Sequence, residues 1–234
     1  MTVAHRRAKI DIVIKRTFDI FVAAVALVLL SPLLIVAAIG IKMTSPGPIF
    51  YMAKRAGLNA HPFSMIKFRT MHVGTDIQSA ITAPSDKRIF GFGNILRKLK
   101  IDELPQFWNI LVGDMSVVGP RPEDPKIVDQ AYTDWMRETL EVLPGVTSPG
   151  AIYGYIFGNA ILDDADPEGS YVNQMLKPKL ALERAYIERA SFHRDIKYMI
   201  LTAWAIFAHL FSLQVLLPKK DISEARRWSN EIPL

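Results

Sequence analysis

The chain has 234 residues, half of them hydrophobic, a length that suits one core domain with appendages. Its formal net charge is +5, which in so apolar a chain points to an anionic partner such as lipid head groups or nucleotides. The absence of cysteine excludes disulfides, structural thiolate zinc sites and thiol nucleophiles.

Residues 1–16 form a basic segment carrying Arg6, Arg7, Lys9, Lys15 and Arg16. The apolar run behind it is too long for a signal-peptide core, and no small-x-small cleavage site follows, so the segment reads as retained. Residues 17–43 form the membrane segment. The stretch Phe18 to Ile41 holds about 22 apolar residues, enough for one bilayer crossing. Ser31-Pro32 sits near its middle. Proline removes a backbone donor and crowds the preceding turn, so a kink is expected there. Ser31 can satisfy freed backbone groups, which lipid cannot do. Basic residues flank both ends, with Lys42, Lys54 and Arg55 on the far side, and draw both ends to one face. Together these allow a re-entrant helix-break-helix as readily as a plain kinked span.

Residues 44–218 read as the catalytic body. Ser45 to Pro48 is a stiff turn leading to a strand at Ile49 to Tyr51. Ala56 to Asn59 is turn-like, and Phe63 to Met71 alternates as a strand should. Ile77 to Arg88 reads as a loop and Phe92 to Lys100 as a short basic helix. Asp102 occupies an N-cap position, with Pro105 in the first turn of a helix that Gly113 ends. Val117-Val118 is a short strand, and Gly119 to Pro122 is a rigid turn. Glu123 to Glu141 predicts one helix, Pro144 to Gly150 a loop, and Ser170 to His193 a helix broken at Pro178. An apolar helix over 196–217 is long enough to span. Its Lys197, Trp204 and His209 suit docking in the head groups better. Residues 219–234 read as a charged, loose tail. The elements predict a mostly α fold with a few short β-strands. It comprises a re-entrant membrane helix pair and a cytosolic α/β catalytic domain with amphipathic interfacial helices.

The densest chemical cluster lies between Asp86 and Arg121. Arg88, Arg97, Lys98 and Lys100 precede the carboxylates Asp102 and Glu103, and Arg121 follows them. Guanidinium groups clamp phosphate oxygens, while carboxylates in phosphate-rich sites hold Mg²⁺ or act as nucleophiles. Adjacent helical residues point about 100° apart, so the two carboxylates need not share a task. Seen alone, the pair is a helix cap with dipole compensation. The basic residues lie beside carboxylates and prolines rather than in an aromatic-interleaved stripe, which argues against nucleic acid.

Several motifs recur together: Lys15-Arg16-Thr17-Phe18-Asp19, Ser31-Pro32, Lys67-Phe68-Arg69-Thr70-Met71, Asp102 to Asn109, Gly113 to Ser116, Val118 to Pro122, Pro144 to Pro149, Tyr186 and Asp195. In this order they resemble the bacterial sugar transferases, the monotopic phosphoglycosyl transferases. The resemblance implies transfer of a sugar 1-phosphate from a UDP-sugar to undecaprenyl phosphate with release of UMP, on the cytoplasmic face of the inner membrane. It further implies that surface-polysaccharide or other glycoconjugate assembly starts with this step. By the same resemblance Asp102 is the nucleophile, giving a phosphosugar-aspartyl intermediate, and Glu103 assists with Mg²⁺, so that both are metal candidates. Lys67, Arg69, Arg97 and Arg121 become phosphate contacts beside Arg88, and the break of the re-entrant helix falls at Ser31-Pro32. The chain departs from the family pattern at Ala53, Ala60, Phe90 and Lys100. It also has Ser148-Pro149-Gly150 where Gly-Trp is frequent, which leaves the sugar pocket open. A non-catalytic scaffold is the rival reading. A homodimer contact is expected near Ser148 to Tyr171 and the terminal helix.

Overall fold

The computed structural model describes residues 9–75, 81–83, 85–211 and 213–232. Arg6 and Arg7 lie outside them, as does part of the expected Ile77 to Arg88 loop. The described fold is mostly helical with a few short strands.

Helices α1 (Lys9–Leu29) and α2 (Ser31–Thr44) meet at a 61° bend. The cause is local. Pro32 cannot donate to the Val28 carbonyl, and the Ser31 hydroxyl donates to it instead at 2.8 Å. Phe21, Val28, Leu29, Ile35 and Val36 are exposed along the pair. Among the described residues, no single helix is long and apolar enough to cross a membrane, but this bent pair is when taken together.

Strands β1 (Phe50–Ala56) and β2 (Pro62–Phe68) form an antiparallel hairpin in the register Tyr51 to Lys67. Its tip carries Asn59 and Ala60 at φ 53° and 63°. Both central residues of such a turn need positive φ, which is why glycine suits the position that Ala60 fills. Helix α3 (Gly91–Lys98) packs so closely on the Lys67–Met71 motif that a Cβ on Gly93 would overlap the Thr70 carbonyl. A 3₁₀ turn over Ile101–Glu103 leads into α4 (Gln106–Val112). Asp102 is therefore not an N-cap. Pro105 holds that position, because the chain already winds helically through Leu104.

Strands β3 (Ser116–Val118) and β4 (Gly145–Thr147) pair in parallel. Gly119 and Gly145 touch backbone to backbone, with no room for a Cβ on either. The expected Glu123 to Glu141 helix is three pieces: α5 (Pro125–Ala131), α6 (Asp134–Arg137) and a 3₁₀ turn to Glu141. Tyr132 turns to extended backbone and Thr133 starts a new helix, so one axis is not kept. The loop expected over Pro144 to Gly150 contains β4 and begins α7 (Pro149–Ile161).

Next come α8 (Pro167–Ser170), a π-wound turn at Tyr171–Met175, and the almost wholly buried α9 (Leu176–Glu188). Pro178 sits inside the first turn of α9. It lacks the N–H for the Gln174 carbonyl, and the winding is loosened just ahead of it. Helix α10 (Phe192–Leu210) ends seven residues before the expected Leu217. The expected loose tail is ordered: α11 (Lys219–Ala225) packs on α9 and buries Ile222 and Ala225.

The main core gathers α9, α7, β3, β4 and the buried end of α1 around Tyr153, Leu180, Tyr186 and Tyr198. Three polar ties lock α1 to it. Arg16 donates to the Ile110 and Leu111 carbonyls at 2.6 and 2.9 Å, at the C-terminal end of α4. Buried Asp19 accepts from the Val117 N–H at 3.1 Å. Lys15 lies 2.9 Å from Asp195, which also accepts from the Tyr186 hydroxyl. Lys15 and Arg16 therefore serve the fold directly, beside any part in membrane orientation.

Candidate active site

The Asp102–Glu103 turn lies against the end of β2 and the Gly119–Pro122 turn. Glu103 is enclosed by cations. Arg121 donates to both of its oxygens, Nη1 to Oε2 at 3.0 Å and Nη2 to Oε1 at 2.6 Å. Lys67 and Lys100 each place Nζ 3.6 Å from Oε1. Burial pushes the Glu103 carboxyl up, but Arg121, Lys100 and Lys67 together outweigh it and hold the carboxyl well below its usual range. It is a fixed negative charge.

Asp102 is its opposite. It is 5% exposed, and among the described residues nothing donates to its Oδ1. Burial, and then the neighbouring Glu103 charge, push its carboxyl up. Lys67 and Lys100 are the charges that oppose this most strongly. One helical turn on, the buried Gln106 amide also has neither atom hydrogen-bonded among the described residues. A buried, unpaired carboxylate oxygen facing a cation cluster is an open valence for an electrophile or a hard cation.

The other expected residues divide. Lys67 belongs to the cluster, and burial pulls its ammonium down to about 8 despite the Glu103 charge. Arg97 reaches the Thr70 hydroxyl at 3.3 Å and adds positive potential at Asp102. Arg69 is turned away from the carboxylates. It donates to the Pro48 carbonyl at 2.6 Å, the Ser45 hydroxyl at 2.7 Å and the Ser45 carbonyl at 2.8 Å, and lies over the Phe90 ring. It ties β2 to the end of α2. Arg88 grips Asp86 and donates to the Ile81 carbonyl at 3.2 Å, which holds its own loop. Their contacts make both residues organisers of the backbone around the site. Ser31 and Pro32 form the helix break as expected.

Asn109 and Glu183 do structural work that the motifs alone do not reveal. The Asn109 side chain bridges β2 and α4, donating to the Ser64 carbonyl and accepting from the Ile66 N–H, both at 2.9 Å. The charged pair Lys179 and Glu183, spaced one turn apart on α9, was the available signal for a buried polar cluster there.

Residues 10–209 match the family model for bacterial sugar transferases, and the chain belongs to that family. It is 37% identical over 199 residues to the UDP-glucose:undecaprenyl-phosphate glucose-1-phosphate transferase of Xanthomonas campestris pv. campestris, covering 82% of this chain and 38% of that protein. A protein of the same name from Caulobacter vibrioides is 35% identical over 192 residues, covering 80% of this chain and 67% of the relative. The sugar transferase EpsL of Bacillus subtilis is 33% identical over 192 residues, covering 81% and 85%. This chain thus spans under half of the Xanthomonas relative and about two thirds of the Caulobacter one.

Proposed function

We propose that this chain moves a sugar 1-phosphate from a UDP-sugar to undecaprenyl phosphate and releases UMP, with Asp102 as the nucleophile. The observation that carries the reading is the asymmetry of the pair: Glu103 is saturated by Arg121, while the Asp102 Oδ1 is buried and bare. The names of the relatives support the donor and acceptor classes. The glycan whose assembly it starts would be a surface polysaccharide or related glycoconjugate.

In the first step an Asp102 oxygen attacks the sugar-side phosphorus of the donor. The bond from that phosphorus to the bridging oxygen breaks, and UMP leaves with the electron pair. In the second step an oxygen of the lipid phosphate attacks the same phosphorus. The bond to Asp102 breaks and its carboxylate returns. A covalent intermediate lets one site serve a soluble donor and a lipid acceptor in turn. Lys67, Lys100, Arg97 and Arg121 provide the positive field that lets an anion approach an anionic diphosphate.

The site fits Mg²⁺. This ion keeps most of its waters and needs one or two carboxylates besides substrate phosphate, and Asp102 would lend it one carboxylate oxygen while the other stays free to attack. Glu103, already held by Arg121, would stand behind it. When bound, Mg²⁺ neutralises charge on the diphosphate. The bent α1–α2 pair, with its exposed apolar surface and satisfied break, supports a re-entrant seat in the cytoplasmic leaflet of the inner membrane. The α10 stripe of Ile200, Trp204 and Phe207, continued by Phe211 just past the helix, suits the interface, with phospholipid beneath it. A homodimer through the α7 region belongs to the same proposal.

The test is UMP release from a panel of UDP-sugars, with undecaprenyl phosphate and Mg²⁺ in lipid nanodiscs. Wild type releases UMP with at least one donor, and a phosphosugar adduct is trapped on Asp102. Glu103→Gln is severely slowed. Release with no donor would favour the scaffold reading.

A further inference from the structure

Glu183 touches none of the reacting groups, yet it holds the loop that presents Arg121. It is fully buried in α9. Its Oε1 accepts from the Ser148 hydroxyl at 2.6 Å and from the Arg121 backbone N–H at 3.2 Å. The Gly150 backbone lies so close to this carboxylate that a Cβ there would overlap it. One side chain therefore gathers the Gly119–Pro122 turn, the end of β4 and the start of α7. Arg121 is gripped at both ends: Glu183 holds its backbone, and its guanidinium holds Glu103.

Burying a carboxylate without a cation beside it is costly, and a packed apolar residue is often more stable there. Lys179, one turn away, is engaged with Glu123 at 2.8 Å. Among the described residues, Oε2 of Glu183 has no hydrogen-bond partner. Such a group is retained where its geometry is used. The geometry here is narrow, because Gly119 and Gly145 already touch and leave the turn no slack on that side. A donor–acceptor contact from α9 then sets where Arg121 sits. Ser148 completes the arrangement, since its Oγ also accepts from the Ala151 N–H at 2.9 Å and caps α7. That is a structural use for the Ser148-Pro149-Gly150 sequence.

We propose that Glu183 is a positioning residue of the transfer reaction, fixing the Arg121 backbone and through it the guanidinium that orients Glu103. This rests on the transferase reading.

The experiment measures UMP release by the full chain in nanodiscs, with thermal melting of each variant. Glu183→Leu keeps its melting transition and loses about 100-fold in kcat, with the donor KM within about threefold, as expected for a misplaced catalytic group. Glu183→Gln keeps the length and an acceptor oxygen, and recovers to within about tenfold of wild type. The loss from Glu183→Leu shrinks in an Arg121→Lys background, because both changes act on one device. Three results would overturn the inference: Glu183→Leu with native melting and kcat within about threefold of wild type, a loss confined to KM, or full additivity with Arg121→Lys. Should Glu183→Leu not fold, Glu183→Gln combined with Ser148→Ala decides the matter, and an unchanged kcat refutes it. A wild type that releases no UMP sinks the transferase reading and this inference with it. A wild type that turns over while every variant matches it sinks this inference alone.

Discussion

Two buried acidic clusters meet at the Gly119–Pro122 turn, and they follow opposite rules. Glu123, the next residue after the turn, is tied to both a cation and a hydroxyl. Lys179 lies 2.8 Å from its Oε2 and 2.6 Å from the Tyr171 hydroxyl, which itself donates to Glu123. The Asp102–Glu103 cluster is saturated on Glu103 and left open on Asp102. A paired carboxylate stabilises a fold, whereas an open buried one costs stability and is kept where its chemistry or its geometry is used. Being buried and acidic does not mark a site. What sets Asp102 apart is an unbonded oxygen with several cations around it, whereas Glu183, also buried with an unbonded oxygen, has only Lys179 near it.

The largest effect that could break this contrast is Asp102→Asn. It should lower UMP release by about 10⁴-fold or more. Its melting temperature should hold or rise, since a neutral amide ends the burial of a charge. A near-native rate with no trapped adduct would leave the open carboxylate without a role. Lys179→Met is the converse. It strands Glu123 without its cation and should cost about 3–5 kcal/mol in urea denaturation, while the rate per folded molecule stays within a few-fold.

The pH profile sharpens the open side. In the proposed reaction Asp102 must be ionised to attack, and its raised carboxyl moves the acid limb above the ordinary aspartate range. Lys67, pulled down to about 8, loses its proton and its field as pH rises through that value, so the rate falls there. Lys67→Arg stays charged and should remove the alkaline limb. An alkaline limb unchanged in that variant would assign it elsewhere. Smallest of all, and outside both clusters, Ala60→Gly should add about 1 kcal/mol of stability by relieving a left-handed alanine, with activity unchanged.

Much of this was legible in the sequence because it rests on local rules. Proline chemistry placed the break at Ser31-Pro32, alternation placed the second strand of the hairpin, and an apolar run marked only the start of the first. The motifs brought Lys67, Arg97 and Arg121 to the carboxylates. What failed depended on contacts distant in the chain. Arg69 and Arg121 look alike in sequence, yet one clamps Ser45 and the other Glu103. The tail at 219–232 reads as charged, but Asp221 meets Arg194 and Lys197 across the fold at 3.0 and 2.7 Å and is drawn inward. Asp102 reads as a cap because capping is a local pattern, whereas its burial comes from the elements around it.

Arg16 gives the fold a mechanical property. Its grip on Ile110 and Leu111 fastens the apolar helix to the far end of α4, whose near end begins just past the Asp102 turn. A seven-residue helix is about 10 Å long, too short to flex appreciably between those points. The apolar pair and the carboxylates therefore move as one lever. With the proposed seat in the membrane, whatever sets the depth and tilt of α1 would also set the height of Asp102, so bilayer thickness becomes a quantity to which the proposed nucleophile is geared.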